Sequence, residues 1–265
     1  MIDTHTHYFL KEFDCDRWDL LERLRENGIT HIVEAAIDME SNFIMRKYFG
    51  DNDMVSFGSG IHPLRVKSEN RIYGLNGCEN ILRTLIKTPK TVAIGETGLD
   101  YTREVSCEED KELQKTYFRM QLELALETDM PLILHVRGCH EDALEILESY
   151  GKQFKGVCHC FIGSACIAQR YTDLGFSLGI GGSCTYSKNR EGYEKFIRDL
   201  PVLPPEKMVL ETDSPYLIPV GCKGKRNNSL NLSAVLGTLS RVMDIPEEML
   251  ESIIERNAKK CFSLE

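Results

Sequence analysis

The feature that most constrains the fold is a regular alternation of short apolar, β-rich segments with longer helical segments along the whole chain of 265 residues. Strands separated by helices indicate parallel βαβ units, and several segments are apolar almost throughout, as expected for strands covered on both faces. Eight segments read as strands: residues 1–7, 30–37, 54–61, 91–96, 131–136, 156–159, 176–180 and 207–212. Eight βα units at this chain length predict a closed (β/α)₈ barrel.

The alternative to a closed barrel is an open, doubly wound sheet. That fold carries a glycine-rich phosphate-binding turn after its first strand, whereas this chain has His5-Thr6-His7 there. Helical periodicity is clearest over residues 16–27, 109–128 and 141–150, and Pro246 marks the start of a last helix. The sequence shows no linker, repeat or low-complexity segment, so we expect residues 1–265 to form one domain.

Charge and cysteine content narrow the class of protein. The chain has 41 acidic and 32 basic residues and a net charge of −9, which argues against a protein that coats DNA by general attraction. No apolar run reaches the roughly 20 residues of a membrane helix, and the start lacks the basic and apolar regions of a signal peptide. The ten cysteines are scattered without a CxxC pair, which indicates free thiols in a cytoplasmic protein. We expect no membrane association, and no sequence feature indicates an obligate protein partner.

Side chains with metal-binding chemistry follow several of the predicted strands. His5 and His7 are two residues apart on the first strand, so both imidazoles face the same side. Four more polar residues follow an apolar run in the same way: Glu96, His135, His159 and Asp213. A barrel keeps its active site at this end of its strands. Six such groups exceed the needs of one tetrahedral site and favour two divalent metal ions bridged by a carboxylate, which suits in-line attack on phosphate esters.

The motifs around these residues resemble those of the TatD family of metal-dependent hydrolases, within the wider amidohydrolase-type barrels. The matching stretches occur in family order: residues 3–7 (DTHTH), 60–63 (GIHP), 95–101 (GETGLDY), 131–137 (PLILHVR), 159–163 (HCFIG) and 211–217 (ETDSPYL). The resemblance covers nearly the whole chain. It implies a TIM barrel of the metallo-dependent hydrolase type and a deoxyribonuclease, with exonuclease activity at 3′ ends in some members.

The resemblance also implies a role for each candidate ligand. His5 and His7 would hold the first metal ion, and His135 and His159 would hold the second. Glu96 would bridge the two ions. Asp213 would complete the first site and take a proton from the attacking water, so Asp213 and Glu96 are the expected catalytic residues. The metal is open among zinc, magnesium, manganese and iron, because such ligand sets accept all of them.

Two substrate contacts are predicted beside the candidate metal ligands. His62 follows a strand directly and therefore faces the same mouth of the barrel, either as a phosphate contact or as a structural hydrogen bonder. Arg137 lies two residues after His135, and a guanidinium suits bidentate binding of phosphate. A salt bridge within the protein is the alternative for Arg137.

Two further substrate contacts are predicted in the loop after the aspartate motif. Arg226 and Asn227 match the loop in which family members often carry Arg-Asn-Glu-Pro, but Asn228-Ser229 replaces Glu-Pro here. Together with Arg226, Lys223 and Lys225 form a basic cluster in an acidic protein, which is either a funnel for phosphates or a solvated loop.

Other candidate residues have simpler interpretations. Cys158 and Cys160 flank His159 and are expected to point away from it, into the layer between strands and helices, as buried apolar groups. His31 and His140 are expected at the surface or at helix caps.

We therefore predict a hydrolase of phosphodiester bonds that acts on single-stranded DNA or DNA ends. A metal pair polarises a carbonyl as readily as a phosphoryl group, so the alternative is an amidohydrolase-type enzyme that cleaves an amide, a lactone or a phosphotriester in a small molecule. A third hypothesis is a non-catalytic barrel that serves as a scaffold, although all six ligand positions are filled.

Overall fold

The predicted barrel is confirmed by the computed structural model, which describes residues 1–102, 107–187 and 192–264. Its eight strands are all parallel and pair in the order β1-β2-β3-β4-β5-β6-β7-β8. The strands are β1 (Ile2–Thr6), β2 (His31–Ala35), β3 (Val55–Ser59), β4 (Thr91–Asp100), β5 (Leu132–Arg137), β6 (Gly156–Cys158), β7 (Phe176–Ile180) and β8 (Met208–Leu210). All eight lie where the sequence predicted strands, and β4 runs four residues further.

The ring of strands closes through the residues that follow β8. The backbone N–H of Asp213 donates to the carbonyl of His5 at 3.0 Å, and the N–H of His7 donates to the carbonyl of Ser214 at 2.9 Å. Thr6 and Ser214 form a parallel bridge at the same place. This seam between β1 and the segment after β8 therefore contains three of the residues predicted to hold metal.

Helices connect the strands and cover the outside of the barrel, as expected for βα units. They are α1 (Arg17–Glu26), α2 (Met39–Phe49), α3 (Val66–Leu85), α4 (Glu108–Thr128), α5 (His140–Ser149), α6 (Ala165–Asp173), α7 (Glu194–Asp199), α8 (Leu232–Met243) and α9 (Glu247–Phe262). The three helices predicted with bounds, α1, α4 and α5, are confirmed to within one residue at each end, and α9 begins one residue after Pro246. Among the described residues, no helix is both long and apolar enough to cross a membrane.

The interior of the barrel is apolar at one end only. Side chains from several strands form a cluster there, including Ile2, Val33, Ile133 and Val209, and Phe262 of α9 packs against it. A larger apolar cluster fills the layer between strands and helices. Because the interior apolar cluster takes the amino-terminal parts of the strands, polar side chains at their carboxyl ends face the open mouth.

Candidate metal centre

Four of the predicted metal ligands meet at one point. They are His5 on β1, Glu96 on β4, and His7 and Asp213 at the seam. The Nε2 atoms of His5 and His7 are 3.1 Å apart. Oδ1 of Asp213 lies 3.4 Å from His7 Nε2 and 3.9 Å from His5 Nε2. Oε2 of Glu96 lies 3.5 Å from His5 Nε2 and 3.7 Å from His7 Nε2. Two imidazole nitrogens and two carboxylate oxygens directed at one point are the donor set that a divalent cation uses.

A second group of nitrogen atoms surrounds the other oxygen of Glu96. Oε1 of Glu96 lies 2.7 Å from His135 Nδ1 and 3.6 Å from His159 Nε2. His62 approaches the same oxygen at 3.7 Å through its Nε2, which is 3.2 Å from His135 Nδ1. The structure therefore brings all six predicted ligands together, with His62 beside them.

Glu96 lies between the two groups and presents one oxygen to each. Its side chain is 3% exposed, and it sits where the register of β4 on β5 shifts, between Ile94 and Thr97. Burial alone would raise the pKa of this carboxyl group, but the neighbouring His62 and His5 rings hold the pKa well below its ordinary value. Glu96 is therefore an anion shared by two clusters of imidazoles.

Outer hydrogen bonds fix which nitrogen of His7 and of His135 faces the centre. Nδ1 of His7 donates to the carbonyl of Ala35 at 2.9 Å, which leaves Nε2 free to bind a cation. On the other side, Oδ2 of Asp100 lies 2.9 Å from His135 Nε2. These two contacts orient the rings of His7 and His135 before any ligand arrives.

The carboxylate of Glu211 lies beside the outer nitrogen of His159. Its Oε1 lies 3.1 Å from His159 Nδ1 and accepts the backbone N–H of Cys160 at 2.5 Å. Burial alone would lower the pKa of His159, but the carboxylate of Glu211 raises it to about 10. Sequence analysis assigned no role to Glu211 or Asp100, although both stand within the quoted motifs.

Asp213 differs from Glu96 in its access to solvent. Its side chain is 17% exposed, and its backbone takes a left-handed conformation with φ of 57°. Burial would raise the pKa of its carboxyl group, but the hydrogen bond from His7 and the charges of His159 and His5 lower it. Asp213 is therefore the ionised carboxylate of the first group that water in the cavity reaches.

The centre forms the floor of an open cavity of about 980 Å³. Arg137, the last residue of β5, lies exposed on its wall, and none of its atoms pairs with an acidic group in the parts of the chain described here. Arg65, at the amino end of α3, and Tyr216 also line the cavity. Sequence analysis assigned no role to Arg65 or Tyr216, because neither type of residue is distinctive when exposed in a loop.

Two predicted substrate contacts lie away from this cavity. The Arg226 guanidinium forms an ion pair with Asp16 at 2.5 Å and stacks on the Phe13 ring, with 4.4 Å from its Cζ atom to the ring centroid. Asn227 is completely buried, and its Nδ2 donates to the carbonyl of Thr212 at 2.9 Å. Both side chains are engaged by the protein, so the predicted contacts of Arg226 and Asn227 with substrate do not fit their placement.

The replacement of Glu-Pro by Asn228-Ser229 has a structural explanation. Oγ of Ser229 donates to Oδ2 of Asp3 at 2.6 Å, and the Ser229 N–H donates to the hydroxyl of Tyr8 at 2.8 Å. Oδ1 of Asn228 accepts the N–H of Leu230 at 3.0 Å. Ser229 therefore ties the loop to Asp3 of β1, and Asn228 caps the short helical turn that begins at Ser229.

The expectation for Cys160 was wrong. Cys158 is buried as expected, but Cys160 lines the cavity. Strand β6 ends at Cys158, and Cys160 has a φ of 47°, so the alternation of a strand does not extend to it. His140 also lines the cavity from the first turn of α5, and its Nδ1 lies 3.2 Å from the Tyr171 hydroxyl.

Comparison with known proteins agrees with this geometry. The sequence profile of the family described as TatD related DNase matches residues 2–263. The 3′-5′ ssDNA/RNA exonuclease TatD of Pantoea ananatis is 30% identical in an alignment of 270 positions that covers 100% of each chain. The uncharacterized metal-dependent hydrolase YabD of Bacillus subtilis is 30% identical over 268 residues, covering 100% of this chain and 99% of YabD.

Among solved structures, the TatD homologue YJJV of Escherichia coli K12 superposes with a TM-score of 0.85 at 28% identity, over 100% of this chain and 98% of YJJV. The shared fold, the match along nearly the whole sequence and the six converging side chains point to the same conclusion. The chain belongs to the TatD-related DNase family of metal-dependent hydrolases.

Proposed function

We propose that this protein is an exonuclease that hydrolyses phosphodiester bonds at the 3′ ends of single-stranded DNA. The observation that carries the proposal is Glu96, whose two oxygens face two separate groups of metal-binding side chains on the floor of an open cavity with Arg137 on its wall. Relatives at about 30% identity are named 3′-5′ ssDNA/RNA exonucleases, which supports the same substrate and polarity.

We propose two divalent cations as cofactors, either zinc, magnesium, manganese or iron. The donor sets suit them, because the outer hydrogen bonds leave Nε2 of His7 and Nδ1 of His135 directed at the centre. His5, His7 and Asp213 would hold one ion with Oε2 of Glu96, while His135 and His159 would hold the other with Oε1. When bound, such a pair lowers the pKa of a shared water and neutralises charge on the phosphoryl group.

The side chains of this protein supply the remaining steps. Asp213 is ionised and reachable from the cavity, so it accepts the proton that the attacking water loses. Arg137 binds a non-bridging oxygen of the phosphodiester through its guanidinium. His62 lies beside Glu96 at the edge of the centre, where it contacts the same phosphate group.

We place the reaction in the cytoplasm. All ten cysteines of the chain are free thiols, and proteins of oxidising compartments commonly pair their cysteines.

Analysis of cleavage products tests the proposal. Metal-loaded protein is incubated with a 5′-labelled single-stranded oligonucleotide, with the same oligonucleotide carrying phosphorothioate linkages at its 3′ end, and with a lactone and an amide. We expect a ladder that shortens from the 3′ end, and we expect the phosphorothioate to suppress it. Release of nucleotides from the 5′ end would overturn the polarity, and cleavage of the carbonyl compounds alone would overturn the reaction.

A further inference from the structure

Tyr216 places a half-exposed aromatic ring at the edge of the cavity. The residue is 52% exposed and lines the cavity wall. Its ring centroid lies 6.4 Å from that of His7, one of the proposed ligands. Other exposed aromatic side chains, such as Phe43 on α2 at 55% exposure, lie outside the cavity lining.

The backbone holds Tyr216 in a fixed place relative to Asp213. The N–H of Tyr216 donates to the carbonyl of Asp213 at 2.8 Å. Asn227 secures the same turn, because its N–H donates to the carbonyl of Pro215 at 2.9 Å and its Nδ2 donates to the carbonyl of Leu217 at 3.3 Å. A ring anchored in this way meets a ligand with little cost of ordering.

The surroundings of the ring are those of a binding surface for a flat group. Leu10, Ile37 and Leu64 add apolar lining to the same cavity. Arg65 also lies there at half exposure, with its Nε 3.9 Å from the carboxylate of Asp38. Within the described parts of the chain, the hydroxyl of Tyr216 has no hydrogen-bond partner, and the side chain is 52% exposed, so the ring is accessible to a ligand. Aromatic faces beside cationic groups hold successive bases of single-stranded nucleic acids.

We propose that Tyr216 stacks on the base of the nucleotide that occupies the cavity and so sets the position of its phosphodiester bond over the metal centre. This inference rests on the proposed nuclease function and assigns a residue to recognition of the nucleobase. Because every base presents a π face, the contact favours no particular sequence.

Fluorescence of a stacked base tests the proposal without turnover. The probe is an oligonucleotide with 2-aminopurine at its 3′ end and a phosphorothioate linkage that blocks cleavage, because the fluorescence of 2-aminopurine falls when the base stacks. Wild type and Tyr216→Phe should quench it on binding, and Tyr216→Ala should not. Phe43→Ala removes an aromatic ring of similar exposure outside the cavity and should quench like the wild type.

The KM for an oligonucleotide that lacks its terminal base gives a second test of the stacking contact. On an ordinary oligonucleotide, Tyr216→Ala should raise KM by about 5- to 150-fold, the range for one base stacked on an aromatic ring. Removing the terminal base from the substrate should raise KM of the wild type by a similar factor and have little further effect in Tyr216→Ala, since the two changes delete the same contact.

Three results would overturn the stacking role: quenching by Tyr216→Ala equal to that of the wild type, a Tyr216→Phe variant that behaves like Tyr216→Ala, or additive effects in the kinetic cycle. Failure of the proposed function has a different signature. In that case the wild type quenches the probe but leaves the unmodified oligonucleotide intact.

Discussion

A methyl group added to β7 should weaken the metal centre from outside it. In Gly179→Ala the new Cβ would lie 2.1 Å from Oε2 and 2.7 Å from Cδ of Glu211, so the carboxylate must move by about 1 Å. Such a shift weakens its contact with His159 Nδ1 and the hydrogen bond that it accepts from the N–H of Cys160, which are 3.1 and 2.5 Å long. The ring of His159 is then held less firmly.

The expected loss of stability has two causes, overpacking of the interior and weakened contacts of Glu211. Overpacking of an interior costs about 1–3 kcal/mol, and each lost hydrogen bond to a charged group costs about 1.5–3 kcal/mol. We expect the free energy of unfolding to fall by about 2–4 kcal/mol, because the carboxylate keeps part of its contacts after moving. Thermal unfolding should shift by roughly 5–15 °C, and affinity for the ion held by His135 and His159 should fall about 10- to 100-fold.

Thermal unfolding of the metal-free protein measures the loss of stability. Titration of the ion by calorimetry measures the loss of ion affinity. Gly77→Ala is the matched control, since Gly77 lies within α3, where alanine is the better helix former. A Gly179→Ala protein that unfolds at the wild-type temperature and binds both ions within twofold of the wild type would refute the role assigned to Glu211.

Three other changes probe different parts of the molecule. Asp213→Asn should lower kcat by about 10²- to 10⁴-fold while most of the metal stays bound, and activity and metal content measured on one sample decide whether lost basicity is the cause. Lys223→Ala combined with Lys225→Ala should weaken binding of single-stranded DNA at low salt and reduce the slope of log Kd against log salt by about 1–2; an unchanged slope would mean that the loop is only a solvated surface. Arg46→Met should lower the free energy of unfolding by about 1–3 kcal/mol, because it removes the hydrogen bonds of a partly buried guanidinium, among them those to the carbonyl of Asn42 at 2.7 Å and to the hydroxyl of Thr91 at 2.8 Å. Chemical denaturation measures this loss, and a variant as stable as the wild type would show that water replaces the guanidinium.

The fold was predictable because it depends on patterns that are local in sequence. Apolar runs, helical periodicity and the placement of His135 after the apolar run 132–134 are visible within a few residues of each other. Parallel strands in a closed ring bring their carboxyl ends to one face, so the convergence of distant polar groups followed from topology.

Side-chain contacts between distant segments could not be predicted in the same way. Arg226 matched a loop motif, but its partner Asp16 lies about 200 residues earlier, and nothing near either residue indicates the ion pair. The direction of the Cys160 side chain depends on where β6 ends. Because β6 has only three residues, the alternation of its side chains is too short to show in the sequence which residue is the last. Glu211 follows β8 and His159 follows β6, and the two side chains meet in front of β7. Alternation along one strand does not reveal a contact between strands that are not adjacent.

The seam of the barrel links folding of the chain to its activity. His5 and Asp213 come from opposite ends of the sequence, and the backbone bonds that join β1 to the segment after β8 also bring these side chains to one point. Contacts across so many residues form only after a large loss of chain entropy has been offset. The first group of ligands therefore exists only when the ring is complete, and a partly folded chain has no competent centre. A cation held there, as proposed above, would stabilise the closed barrel, because a ligand that binds only the native state lowers the free energy of that state.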